Sequence, residues 1–463
     1  MTSAFFGLEL ALRALQTQQV ALDVTNHNVA NANTPGFSRQ SAVLATTTPY
    51  TLPGFNRAPG AGQLGTGVWA AAIERARDGF LDIQYRAEVS TQRQAEVARD
   101  ALEEVQVVLH EPSDTGISAL LGSFFGAWQA LASDPSDSAT RNVVVQQASA
   151  LAAGFNRATQ QLSTIQQRLN DEVALTATEI NSLTGQLTAL NRQIVQVESI
   201  GQRANDLRDQ RDLLLDRLAE LVPIATVENS NGSVDVTLGG HALVTGTTAD
   251  TLTTTPTGPG GLWEVRFASD SVVVSATSGR LKGLLDVRDG NIPSYRASLD
   301  TLANTLITAV NGLHTAGYGL DGVTGRPFFA GTDAATIAVD PTISADPRRV
   351  AAADAPNQAS NNAVALALAQ LRHTMSPPPE SAYSALITGL GTDARGSQAL
   401  AENQALLVQH IERRRQVVSG VSLDEETVNL LRYQRAYEAA ARLITANDEM
   451  LDKLINETGI VGR

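Results

Sequence analysis

The sequence predicts a mainly α-helical protein with an inserted β domain, drawn out as an elongated multi-domain rod whose terminal helices form a coiled coil beside a long helical bundle. Three observations predict it. Both ends of the 463-residue chain carry heptad stripes, and one tract in the middle keeps a helical period for about 60 residues, on the order of 90 Å of helix. A stretch near the centre switches to strand-like alternation. The length exceeds what one hydrophobic core serves, so several domains are expected.

Stepping four and three residues through the first segment gives Leu8, Leu12, Leu15, Gln19, Leu22, Asn26 and Val29. The last amphipathic segment gives a matching seam, Leu423, Thr427, Leu430, Gln434, Tyr437, Ala441, Ile444, Asp448, Leu451 and Ile455. One such stripe suits an ordinary core helix. Two at opposite ends suit helices that lie along one another, and polar positions set into both seams are devices that fix register and partner number. Ser422 is placed to cap the last helix, with Asp424, Glu425 and Glu426 where its dipole is positive.

After the first helix, Pro35-Gly36 suits the centre of a type II turn, and a linker punctuated by Gly54, Gly60, Gly62, Gly65 and Gly67 follows. From Val68 the pattern is expected to be helical, through Leu109 to a break at Pro112. Ile117 to Leu131 forms a second helix ending at Asp134-Pro135, and Ala139 to about Ile200 forms the long one. At Val222-Pro223 the period changes. Val234, Val236 and Leu238 alternate, Gly239-Gly240 offers a hairpin turn, and Trp263, Val265 and Phe267 alternate again. Helix returns over residues 292 to 316, short strands surround Ile337 and Val339, and Ala363 to Leu371 and Tyr383 to Val418 lead helically to the terminal seam. The expected divisions are therefore 1–67, the N-terminal half of a coiled-coil domain plus linker; 68–221, helical; 222–290, β; 291–420, the helical return; and 421–463, the C-terminal coiled-coil half.

Composition narrows the function. A net charge of −14 argues against a nucleic-acid partner, because a phosphate binder needs a basic face. Zero cysteines remove disulfides, thiolate metal sites and thiol nucleophiles together. No apolar run reaches membrane-spanning length, and Met1 to Leu12 lacks the basic region of a cleavable signal. His27, His110, His241, His314, His373 and His410 are scattered without metal-ligand spacing. Gly317 to Gly322 matches G-x-G-x-x-G but follows a helix instead of a strand, so a turn is the better account. Asp206, Asp209 and Asp212 with Arg208 and Arg211 suit a solvated or ion-paired helix face. No constellation suits catalysis, a metal or a cofactor. A hydrolase with a β-rich insert would need clustered carboxylates, whereas Glu228, Asp235, Asp250, Glu264, Asp270, Asp286 and Asp289 are dispersed.

The run Asn28 to Gln40, containing Asn31, Asn33, Thr34, Pro35, Gly36 and Phe37, resembles the N-terminal signature of the bacterial flagellar axial proteins, the rod, hook and hook-associated group. Val421 to Glu426, Tyr433 to Tyr437 and Ala446 to Leu451 resemble that group's other end. Phe124-Phe125, Leu131 to Pro135, Asp206 to Asp212 and Leu430 to Tyr433 are similar to the members at the junction of hook and filament. A hook or distal rod protein is the nearest alternative. The resemblance implies a structural protein with no enzymatic activity, exported without a cleaved signal through the flagellar type III apparatus with the help of a chaperone. It implies self-assembly as a ring of identical subunits outside the cell, between the hook protein and the next hook-associated protein, with the terminal helices lining the channel. It implies neither nucleic-acid binding nor membrane insertion. Both ends, to about Gln40 and from Val421, are expected to settle only when neighbouring subunits cover them.

Overall fold

A computed structural model of the chain describes residues 5–49, 64–109, 111, 113 and 116–457. Gly54, Gly60, Gly62, His110 and the predicted break at Pro112 lie outside the described residues, as do the first four residues and the last six. In order, the chain forms α1 (Phe6–Asn31), β1 (Gln40–Thr46), β2 (Val68–Arg75), α2 (Gly79–Leu109), α3 (Ile117–Ser133), α4 (Ser138–Glu198) and α5 (Asn205–Leu221). Then come β3 (Ala225–Glu228), β4 (Val234–Leu238), β5 (His241–Thr245), β6 (Thr248–Ala249), β7 (Leu252–Thr255), β8 (Glu264–Phe267), α6 (Gly279–Asp286) and α7 (Ile292–His314). The return comprises β9 (Phe329–Ala330), β10 (Ala338–Val339), α8 (Pro341–Ala345), α9 (Ala363–Thr374), α10 (Pro379–Ser419) and α11 (Leu423–Asp452). The protein is mainly α with small sheets, as predicted. Among the described residues no helix is long and apolar enough to cross a membrane.

The described chain forms two compact units. One holds residues 1–89, 180–251 and 406–463, and the other 90–179 and 252–405. The chain passes from one to the other within α2, α4 and α10 and between β6 and β7. The stretch from 222 to 290 therefore contributes to both: β3-β4-β5-β6 is an antiparallel sheet of the first unit, and the β7–β8 hairpin belongs to the second. Gly239 and Gly240 do make the β4–β5 turn, both at positive φ, 58° and 89°.

Two expectations fail around Val68. The segment from Val68 to Arg75 is a strand, not the start of a helix, and the linker before it contains its partner β1. The two run antiparallel from Gln40 opposite Arg75 to Thr46 opposite Val68, with a bulge between Val43 and Leu44. Ala70, Ala71 and Ala72 give no clear period, and a pairing strand decides their conformation where local preference does not. The helix begins at Gly79.

The second unit is built on aromatic packing. Trp128, Phe124 and Phe125 of α3 are fully buried, and Phe328 and Phe329 enter the same cluster from the end of the α7–β9 connection. His314, the last residue of α7, completes it at 5.3 Å from Phe328, ring centre to ring centre. Its Nδ1–H donates to the Arg326 carbonyl at 2.8 Å and its Nε2 accepts the Ala351 N–H at 2.9 Å, a pattern that only the neutral ring satisfies. Burial accordingly holds its pKa down at about 4. Buried Arg141 donates to the neighbouring Val350 carbonyl.

Candidate assembly site at the chain termini

The terminal helices pair within the first unit. Gly7 of α1 lies against Asn447 of α11, and Asn28 at the other end of α1 meets Glu426, so the two run antiparallel over 22 residues each. A Cβ at Gly7 would come within 2.7 Å of Asn447 Oδ1, so a larger residue there would turn the Asn447 side chain aside. The first unit's α1 also lies on β2, through Thr17 to the Val68 carbonyl and Arg13 to the Thr66 carbonyl, each at 3.0 Å.

The buried stripe is displaced from the seam by about one residue. On α1 it comprises Ala11, Thr17, Ala21, Val24, Thr25 and Asn28, while Leu8, Leu15 and Leu22 are half-buried and Leu12, Gln19, Asn26 and Val29 are exposed. On α11, Glu426 and Ala440 are buried, and Leu430, Tyr437, Ala441, Ile444 and Leu451 are half-buried. Leu423, Thr427, Gln434, Asp448 and Ile455 are exposed. Small residues at the contact let two helices approach closely, and the larger side chains flank the seam instead of filling it.

A polar clasp closes this pair at its base. Asn28 is 1% exposed; its Oδ1 accepts the Gln40 N–H at 2.9 Å, and its Nδ2 donates to the Gln40 carbonyl at 2.8 Å and to Glu426 Oε2 at 3.1 Å. Glu426 is 2% exposed, and its other oxygen accepts from Arg39 Nε at 2.8 Å. Arg39 also reaches Glu425 at 3.1 Å, and its backbone N–H donates to the Ser419 carbonyl at 2.8 Å. Every polar atom of a buried amide and a buried carboxylate is thereby matched, as burial requires. Ser422 caps α11 at Glu425 N–H, as predicted, but Glu426 serves the clasp and not only the helix dipole. Asn28, Arg39, Gln40 and Glu426 all lie inside the two terminal signatures, yet nothing local marks them as partners.

The turn between α1 and β1 rests on α5. Thr34 to Phe37 is a type II turn, with Gly36 at φ 81° and the Phe37 N–H on the Thr34 carbonyl at 3.2 Å. Gly36 faces Leu213; His27 packs edge-on to Phe37 and bonds Asp206 at 3.2 Å. Ser38 donates both its N–H and its hydroxyl to Asp209, at 2.9 and 2.7 Å.

The charge run on α5 is ion-paired; Asp209, Arg211 and Asp212 are buried, while Asp206 at its start is exposed. Asp209, Asp212 and Asp216 share one helix face. Arg75 donates to Asp209 at 2.6 Å and to Asp212 at 3.0 Å. Arg86 donates to Asp216 at 2.7 Å, and Arg77 grips Asp82 through two bonds at 2.7 and 3.1 Å. Arg415 of α10 joins Asp82 at 3.0 Å to Asp216 at 2.8 Å and lies over the Tyr85 ring. Burial pushes the Asp212 carboxyl up, but Arg77 and Arg75 outweigh it and hold it below its ordinary value. Burial and the Asp216 charge push the Tyr85 hydroxyl up to about 12. These eight charges join β2, α2, α5 and α10 in one arrangement, directly beneath the clasp. Among the described residues no group of three His, Cys, Asp or Glu is placed to hold a metal ion.

Comparison with known proteins places this architecture. Residues 102–329 match the family model described as the flagellar hook-associated protein FlgK helical domain. Residues 8–37 match that of the flagella basal body rod protein, and residues 417–457 that of the flagellar basal body rod FlgEFG protein C-terminal region. Flagellar hook-associated protein 1 of Bacillus subtilis is 34% identical over 508 aligned positions that cover the whole of both chains. The protein of the same name from Salmonella typhimurium is 25% identical, covering 96% of this chain and 98% of the relative. The solved structure of the flagellar hook junction protein FlgK from Burkholderia pseudomallei shares the fold, with a TM-score of 0.65 at 19% identity over 73% of this chain and all of that one. A full-length relative at this identity, with family models matched at the middle and at both ends, means that the chain belongs to the flagellar hook-associated protein 1 family.

Proposed function

We propose that the chain is a structural component of the bacterial flagellum that joins hook to filament as a ring of identical subunits. The observation that carries this is the pairing of α1 with α11. The two segments matched by rod-protein models fold against each other, and the pair keeps Leu12, Val29, Leu423 and Ile455 exposed. Leu430, Gln434, Tyr437, Ile444 and Leu451, with Leu8, Leu15, Gln19, Leu22 and Asn26, border the surface that neighbouring subunits cover. The hook protein lies on one side of the ring and the next hook-associated protein on the other. The chain reaches that place outside the cell through the flagellar type III apparatus with a chaperone, without a cleaved signal, and performs no catalysis. The match of residues 102–329 favours the junction over a hook or distal rod protein.

Removing the gene and viewing the cell surface by electron microscopy tests this. The expected result is hooks without filaments and filament protein shed into the medium; intact filaments contradict it. Leu430→Asp or Ile444→Asp puts a charge on the border of the pair and is expected to abolish filament attachment while the second unit stays folded.

A further inference from the structure

α11 presents an apolar strip that α1 does not cover. Val428, Leu431, Leu443 and Met450 are each more than half exposed, at 64%, 54%, 52% and 56%, and Ala439 and Ala446 lie between them. At about 100° per residue the strip is centred about 140° round the helix from the row that faces α1. Three arginines, Arg432, Arg435 and Arg442, are set into the same face, with Glu438 and Glu449 at its edge. Arg435 bridges to Glu438 at 3.1 Å, while Arg432 and Arg442 meet no carboxylate among the described residues. The outer face of α1, opposite its buried stripe, has the complementary character: Glu9, Leu12, Gln16, Gln19 and Asp23 are exposed, with two acids and no lysine or arginine. The one arginine of α1, Arg13, is half-buried and bonded to the Thr66 carbonyl.

The α1–α11 register determines what these faces offer each other. In a ring, the neighbour's α1 runs antiparallel to this α11, as its own does. At equal height the register defined by Gly7 with Asn447 and Asn28 with Glu426 puts Asp23 level with Leu431 and Glu9 level with Thr445. Each acid then falls within about one helical turn of Arg432 or Arg442, and Leu12 falls beside Leu443. We infer that the exposed strip of α11 docks the outer face of α1 of a second copy, with Arg432, Arg435 and Arg442 against Glu9 and Asp23. This inference rests on the ring proposed above and names the surfaces that form it. Charge opposite charge fixes the height of each copy against the next, and like charges penalise a displaced register.

The chain has no cysteines, so introduced ones report contacts without background. Asp23→Cys and Arg432→Cys copies, expressed together in cells lacking the natural gene, are expected to give a mixed disulfide dimer on isolated hooks, with no Asp23→Cys homodimer. Arg432→Glu with Arg442→Glu is expected to lower filament attachment at least tenfold, and adding Glu9→Arg with Asp23→Arg to the same chain to restore it. Full attachment by the double-reversal variant overturns the inference, and so does absence of the mixed dimer from hooks that carry the protein, whatever the swap does. A protein absent from hooks altogether contradicts the ring itself, which is a separate failure.

Discussion

The aromatic cluster around Trp128 and the pair α1–α11 hold helices together by opposite means. The cluster removes Trp128, Phe124 and Phe328 wholly from water, and aromatic burial of that kind stabilises a fold without help from a partner. The terminal pair buries alanines, threonines and one buried carboxylate, and keeps many larger apolar side chains half or fully exposed. Such a seam specifies register while contributing little stability of its own. On the function proposed above, the first region folds on its own and the second is completed by neighbouring subunits.

The sharpest way to break this contrast is to damage the two regions equally. Trp128→Ala is expected to cost about 3–5 kcal/mol in denaturant unfolding of the second unit. Leu430→Asp, the change expected to abolish attachment, leaves that transition within about 0.5 kcal/mol. An effect of the same size is expected beneath the clasp. Asp212→Ala leaves Arg75 and Arg77 buried with fewer partners, and breaking a buried ion pair from one side costs about 3–5 kcal/mol. Replacing the charges together by apolar groups of similar volume is expected to cost much less in stability, because these charges serve arrangement more than energy.

Acid sharpens the contrast from the other side. In the folded state His314 titrates near 4, against about 6.5 for a free imidazole. The unfolded chain therefore takes up the proton first. The contribution of neutral His314 is complete above pH 6.5 and is lost as pH falls towards 4, by about 3 kcal/mol. Protonation at Nε2 also removes the acceptor for the Ala351 N–H. Unfolding of the second unit is expected to become easier from pH 7 to 4.5, and a His314→Gln variant to lose most of that slope.

How much of this was legible in the sequence depended on how local the cause was. The Thr34–Phe37 turn, the Ser422 cap, the Gly239-Gly240 hairpin and the 61-residue α4 each follow from residues within a few positions of one another. The pairing of the two ends was legible because both carry a heptad period. Its register was not: leucines dominate any count of apolar positions, whereas the contact runs along alanines, threonines and Asn28. The β1–β2 hairpin was hidden because alanines at 70 to 72 favour no period and the partner strand lies across a glycine-rich linker. For α5, the charges were visible and their burial was not. Arg75, Arg77, Arg86 and Arg415 approach Asp82, Asp209, Asp212 and Asp216 from segments up to about 340 residues apart, a separation that no window of sequence spans.

Hydrogen exchange on the dilute monomer and on assembled hooks tests the central contrast most directly, because it reads α1, α3 and α11 in one sample. The account predicts fast exchange along α1 and α11 in the monomer, strong protection of both after assembly, and protection of α3 in both states. Amides of α1 and α11 as protected as those of α3 in the monomer would contradict it.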